Sequence, residues 1–234
     1  VSYGLLVKLE VKASTDAEKL NGPGDLLSVK PNPADKQSTM LDITARVLAP
    51  HWSRPRDVQL FINGEPKFTA EINPKSRKDK PFKTTVKWQV PVADLPHDAW
   101  LTAVATGEGI QSLHWPTAKP YQPDSPIFES QTFSCTGPIW LDTDGDGKYS
   151  SPRDYATQLI SSTPLNPKSG TPDLRVLAKS LAKHDSAVVN QVLALLLQKK
   201  IEPAQLITAG IGKRGKQFQQ QWRQTIRAKV EQRE

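Results

Sequence analysis

Three aspartates at alternate positions, Asp142, Asp144 and Asp146, are followed at once by Gly147. Carboxylates spaced in this way aim hard oxygen donors at one centre, and the glycine permits the tight turn that brings later oxygens round to it. The pattern is the first half of a twelve-residue calcium loop, whose oxygens come from positions one, three, five, seven, nine and twelve. In that register Asp142, Asp144 and Asp146 take the first three ligand positions, the Lys148 carbonyl the next, and Ser150 position nine. Position twelve is Arg153 rather than an acid, and Asp154 comes one residue later. Two completions of the shell are open: Asp154 closes a slightly longer loop, or it caps the helix that follows and water takes the last place. Calcium is expected over magnesium, which prefers few protein carboxylates and several waters.

Other chemistries lack their residues. His51, His97, His114 and His184 are scattered, with no spacing that sets two imidazoles on one metal. No glycine-flanked serine elbow is present, and the lone Cys135 excludes an internal disulfide or a cysteine metal cluster. By its own residues this chain is not expected to be an enzyme. A second binding reading rests on Trp115 and Tyr121, in a stretch rich in proline and aromatic residues; they could form a ligand platform for a carbohydrate or cell-surface polymer.

The elements that must position the aspartates change type at the loop. Before it, Leu5, Val7, Leu9 and Val11 alternate with polar residues, as do Leu41, Ile43, Ala45 and Val47. That period of two marks strands with one buried face. Val58, Leu60 and Ile62 run into Asn63 and Gly64, the residue pair that favours a two-residue hairpin turn. Val86, Trp88 and Val90 form another inward row, and Trp100, Thr102 and Val104 the next. About seven short strands with proline and glycine between them predict an immunoglobulin-like antiparallel β-sandwich over residues 1–141. Residues 142–155 then form the calcium loop and junction, and residues 156–234 a small helical bundle. The segment carrying Lys75, Arg77, Lys78 and Lys80 reads as a solvated loop.

After the loop the period lengthens. Ser151, Pro152 and Asp154 make a helix start, with a capping serine, a proline where its missing donor costs nothing, and an acid in the first turn. Pro172 and Asp173 open a second helix, and Val188, Val192, Leu195 and Leu196 belong to a third, the most buried. Pro203 starts a short fourth, and Phe218, Trp222, Ile226 and Val230 space by four along a last, basic one. The strand entering the loop, with Tyr149 at a position usually held by a small aliphatic, predicts a solitary structural site rather than a paired sensor.

The formal charge of +7 is uneven along the chain. From residue 198 onward there are nine Lys or Arg and three Glu, leaving twenty-two basic and twenty-one acidic residues before it. The excess therefore belongs to the tail, where it serves a solvated helix face or an anionic partner. There is no specific nucleic-acid signal, and no apolar run of the length needed to span a membrane.

The order of the pieces resembles the region that follows the catalytic domain in exported bacterial metallohydrolases of the PHP (polymerase and histidinol phosphatase) class, in particular the carbaryl-hydrolase-like group. The residues that carry this are Gly4, Leu5 and Leu6; Gly22, Pro23, Gly24 and Asp25; Pro50, His51 and Trp52; and the strand from Asp57 to Gly64. Asp98, Ala99, Trp100 and Leu101, then Thr136, Gly137, Pro138 and Ile139 leading into the aspartates, complete the set. The similarity covers roughly residues 1–160, and the aspartate loop here is longer and more acidic than that group requires. It implies a noncatalytic accessory module of an exported metal-dependent hydrolase, periplasmic or extracellular, whose catalytic metals lie in a preceding domain of the same protein. That domain is the implied partner, and calcium is expected to join sandwich and helical tail.

Overall fold

The computed structural model describes residues 1–14, 19–29, 39–72, 81–109, 131–167 and 169–201. Trp115, Tyr121 and His114, the basic loop around Arg77, and the helices expected after residue 202 lie outside them. The chain divides into two compact units, Val1–Tyr149 and Ser150–Glu234.

Among its described residues the first unit has ten strands: β1 Ser2–Tyr3, β2 Leu6–Ala13, β3 Leu26–Ser28, β4 Met40–Ala49, β5 Pro55–Ile62, β6 Glu65–Glu71, β7 Phe82–Pro91, β8 Ala99–Glu108, β9 Gln131–Cys135 and β10 Ile139–Asp142. They form a three-stranded sheet in the order β2-β4-β7 and a seven-stranded sheet centred on β8. β8 pairs along one edge with β5, which leads to β6; along its other edge it pairs with β9 and then β10. The inward rows of both sheets share one core, in which Leu9, Leu41, Ile43, Leu60, Leu101, Ile139 and Leu141 are fully buried. Each such side chain contributes about 1.5–3 kcal/mol through apolar burial, so the period-two rows are the main source of the fold. On β8 the inward row is Ala99, Leu101, Ala103 and Ala105, not the expected Trp100, Thr102 and Val104, because alternation fixes the period of a strand but its pairing decides which face turns to the core. The result is sandwich-like and mainly β.

One pairing departs from a plain antiparallel reading, and two further strands are specified by their neighbours. β10 and β3 run parallel, with Trp140 beside Leu26 and Asp142 beside Ser28. A strand of three residues carries no period of its own, and β3 is specified by its neighbour. β9 inverts the expected pattern: Thr132 and Ser134 are buried, while Phe133 is 42% exposed. The buried hydroxyls are satisfied, since Thr132 donates to the Glu108 carbonyl at 3.0 Å and Ser134 Oγ accepts from Val7 N at 3.0 Å. β1, at the outer edge of the larger sheet, is held by β9 through the Ser2–Ser134 and Tyr3–Phe133 pairs.

Two glycines are required by geometry. Asn63 and Gly64 adopt φ of 52° and 81° between β5 and β6, the left-handed pair of a two-residue hairpin turn. At Gly107, beside an irregularity in the β5–β8 register, a Cβ would lie 2.3 Å from the Arg54 carbonyl oxygen. No side chain fits there.

The second unit contains three described helices: α1 Pro152–Ser162, α2 Leu174–Leu181 and α3 Ser186–Gln198. Each starts at a side-chain cap. Ser151 and Asp154 form a reciprocal capping box on α1, while Asp173 and Asp185 accept backbone N–H groups at the starts of α2 and α3. Ile160, Leu177, Leu181, Val188, Val192, Leu193 and Leu196 make a second core, separate from that of the sheets. No described helix is long and apolar enough to cross a membrane.

Candidate metal centre

β10 delivers Asp142 to the rim of the larger sheet, and the chain then curls around its carboxylate. Asp142 Oδ1 accepts from Gly145 N at 2.6 Å, and Oδ2 accepts from Gly147 N at 2.8 Å and from Ser28 Oγ at 2.6 Å. Gly145 and Gly147 sit at φ of 75° and 83°, the left-handed region that lets both amides turn inward. Asp144 Oδ1 accepts from Asp146 N at 3.1 Å, and Asp146 Oδ1 from Lys148 N at 2.8 Å. Each aspartate thus shapes the turn that carries the next. The aromatic residues flanking the loop meet as well: the rings of Trp140 and Tyr149 lie 4.5 Å apart, tilted by 54°. This contact accounts for a bulky Tyr149 where such loops usually carry a small aliphatic.

A fourth carboxylate comes from elsewhere in the chain. Asp98 ends the turn before β8, and in the β8–β10 ladder Ala99 pairs with Leu141, so Asp98 arrives one step further on, at Asp142. It is completely buried, and its Oδ1 accepts from Thr143 N at 2.8 Å and from Thr143 Oγ1 at 3.2 Å. His97 Nδ1 lies 2.6 Å from the Asp98 carbonyl oxygen and fixes the turn. Asp98, Asp142 and Asp144 each offer a carboxylate oxygen, all within 4.8 Å of one another. Oxygens on opposite sides of one calcium ion stand about 5 Å apart, twice the usual bond length, so the triad has the span to hold a metal ion. Sequence inspection places Asp98 in a turn and misses this role. Only the β8–β10 pairing reveals it, since the two segments are 45 residues apart in the Thr143–Asp98 contact.

The electrostatics are those of carboxylates crowded together. Burial pushes the Asp142 carboxyl up, but hydrogen bonds from Ser28 and from the Gly147 and Gly145 amides outweigh it and hold the group below the usual range. Asp144 is shifted upward, first by desolvation and then by the charges of Asp98 and Asp146 and its contact with Asp142. Contact between the two adds to these shifts, lowering Asp142 and raising Asp144. A bound cation removes that conflict by neutralising both.

Of the residues read from the calcium-loop register, the structure brings Asp142 and Asp144 together with Asp98. The exposed Asp146 directs Oδ1 to Lys148 N, and Lys148 meets it through its amide. Ser150 and Asp154 belong to the second unit. There Asp154 Oδ2 accepts from Ser151 N at 2.9 Å and from Ser151 Oγ at 2.6 Å, hydrogen bonds that hold its carboxyl below the ordinary range. Its carboxylate therefore serves the cap of α1. Among the described residues, the three aspartates are the one cluster of His, Cys, Asp and Glu side chains with the spacing of metal ligands. His184 Nδ1 lies 3.0 Å from the Ser180 carbonyl in the second unit, and His51 is exposed in the first.

The chain matches no protein-family model and no curated protein.

Proposed function

We propose that this chain is a noncatalytic, calcium-stabilised accessory module of an exported metal-dependent hydrolase. The observation that carries the calcium reading is the arrival of buried Asp98 beside Asp142 and Asp144. Three hard oxygen donors, with no imidazole or thiolate among them, suit calcium better than zinc or copper. Asp142, Asp144, Asp146 and the Lys148 carbonyl would hold the ion from the loop, and Asp98 would supply the carboxylate that position twelve lacks. Bound there, calcium would tie the turn before β8 to the chain after β10, where the first unit ends and the polypeptide passes on to Ser150. The role is structural, because the ligands are occupied in shaping the loop itself.

The accessory role, the export and a catalytic partner domain in the same polypeptide rest on the ordered motifs from Gly4 to Gly147. The immunoglobulin-like identity of the sheets and the helical-bundle identity of the second unit belong to the same proposal. They are supported by two sheets facing across one core and by three capped helices sharing another.

Calorimetric titration with calcium, paired with thermal melts in calcium and in chelator, tests the site. A ligand that binds only the folded form stabilises it by about 2.7 kcal/mol at a hundred times its dissociation constant. The expected result is a heat of binding and a higher melting temperature in calcium, both lost in Asp144→Ala. No heat and no shift in the wild-type protein would remove the calcium reading. The accessory role is tested by sequencing the gene upstream of Val1, which is expected to encode a metal-binding hydrolase domain.

A further inference from the structure

The smaller sheet turns a basic face to solvent. Its outward positions on β2, β4 and β7 carry Lys8, Lys12, Arg46, Lys83 and Lys87, against only Glu10 and Asp42. Both acids are already engaged, Glu10 with Arg46 at 3.0 Å and Asp42 with Gln89 Nε2 at 2.8 Å. Among the described residues none of the four lysines forms an ion pair, although Asp42 stands opposite Lys12 in the β2–β4 register, and five cations against two acids leave the face a surplus of positive charge.

The registers set these charges in a grid. Lys8 stands opposite Arg46 and Arg46 opposite Thr85, while Thr44 lies between Glu10 and Lys87. A shallow open depression is lined by Lys12, Asp42, Thr44, Lys87, Trp88 and Gln89, which sets two cations beside one acid, one ring and neutral hydrogen-bonding groups. The linear sequence hides this concentration, because the chain before residue 198 is nearly balanced, with twenty-two basic and twenty-one acidic residues. Folding sorts them, with several of the acids gathered at the metal loop and the lysines on one sheet face.

We propose that this face docks a linear acidic polysaccharide, its carboxylates meeting the lysines and its hydroxyls meeting Thr44, Thr85 and Gln89. A flat, extended sheet surface suits an extended chain, and several weak contacts acting together provide the affinity. No outward strand position holds an aromatic residue and Trp88 alone lines the depression, so the row of stacking platforms that retains single-stranded nucleic acid is missing. The same absence removes the aromatic anchors of membrane-surface binding. The proposal is independent of the calcium reading, since none of these residues belongs to the metal cluster.

Retention of the full chain on immobilised hyaluronate, in calcium throughout, tests it. Duplex DNA and phosphatidylserine vesicles serve as competing probes. The wild-type protein is expected to bind hyaluronate at low ionic strength and to be released by salt. Lys8→Glu with Lys87→Glu is expected to weaken binding on the order of tenfold, since each exposed charge contact is worth a few-fold and reversal adds repulsion. Lys8→Gln with Lys87→Gln should lose less. Lys213→Glu with Arg214→Glu makes the same change in net charge within the tail and should leave binding close to wild type. Circular dichroism checks that each variant is folded. The proposal is overturned by absence of retention, by equal weakening in the face and tail variants, or by tighter binding to DNA or vesicles than to hyaluronate.

Discussion

Asp98 is where the metal reading gains its physical content. An acid at the end of a proline turn is ordinarily a solvated turn former, yet this one is completely buried and meets two loop carboxylates. Asp98→Asn keeps the hydrogen bond acceptor for Thr143 while removing the charge. Its calcium affinity is expected to fall at least about tenfold, as lowering ligand charge weakens such sites, with the apo protein still folded; calorimetry checks both. Asp154→Asn is expected to leave calcium affinity close to wild type, because that carboxylate serves the helix cap. Protons should compete with the metal. The Asp144 pKa is raised, so calcium affinity falls as pH drops through that raised value, and binding near it releases protons. Titrations in two buffers of different ionisation enthalpy measure the release. Asp154 acts on stability itself: its pKa is lowered, so its contribution is full above the unfolded value near about 3.9 and is lost as pH falls through the lower folded value.

At the scale of elements, β8 carries most of the arrangement, since it pairs with β5, β9 and β10. Gly107, near its end, faces the Arg54 carbonyl so closely that a methyl group must push backbone aside. Gly107→Ala is expected to destabilise the protein by about 1–3 kcal/mol through overpacking, read as a lower denaturant midpoint. The α1 cap offers a milder test: Ser151→Ala removes the acceptor for the Asp154 amide, at a cost of about 1 kcal/mol. The helical signal on circular dichroism should then melt earlier. Capping chemistry is local, so all of the α1 start was readable from Ser151, Pro152 and Asp154. β9 was not readable, because its buried residues are hydroxyl-bearing and its aromatic residue points outward. Hydrogen-bond partners brought by β2 and β8 decide that orientation, and no period within five residues encodes it.

Across the whole molecule, the two units rest on separate cores, one of sheet residues and one of helix residues. Calcium is expected to raise the melting of the β signal, because its proposed ligands all lie within the first unit. The distribution of charge is also a property of this scale. Lysines that alternate with apolar residues along β2 and β7 look like ordinary solvent-facing positions in the chain. Stacked side by side through the β2-β4-β7 registers, they become a surface with a sign.

By itself the sequence determined what depends on neighbours a few residues apart. The period-two rows, the Asn63–Gly64 turn, the helix caps and the alternation of Asp142, Asp144 and Asp146 are all of that kind. Tertiary structure decided what depends on distant segments: the parallel β3–β10 pair, the buried hydroxyls of β9, the basic face, and Asp98 at the metal centre. Strand registers form between residues far apart in the chain, and only those registers say which carboxylate stands beside which.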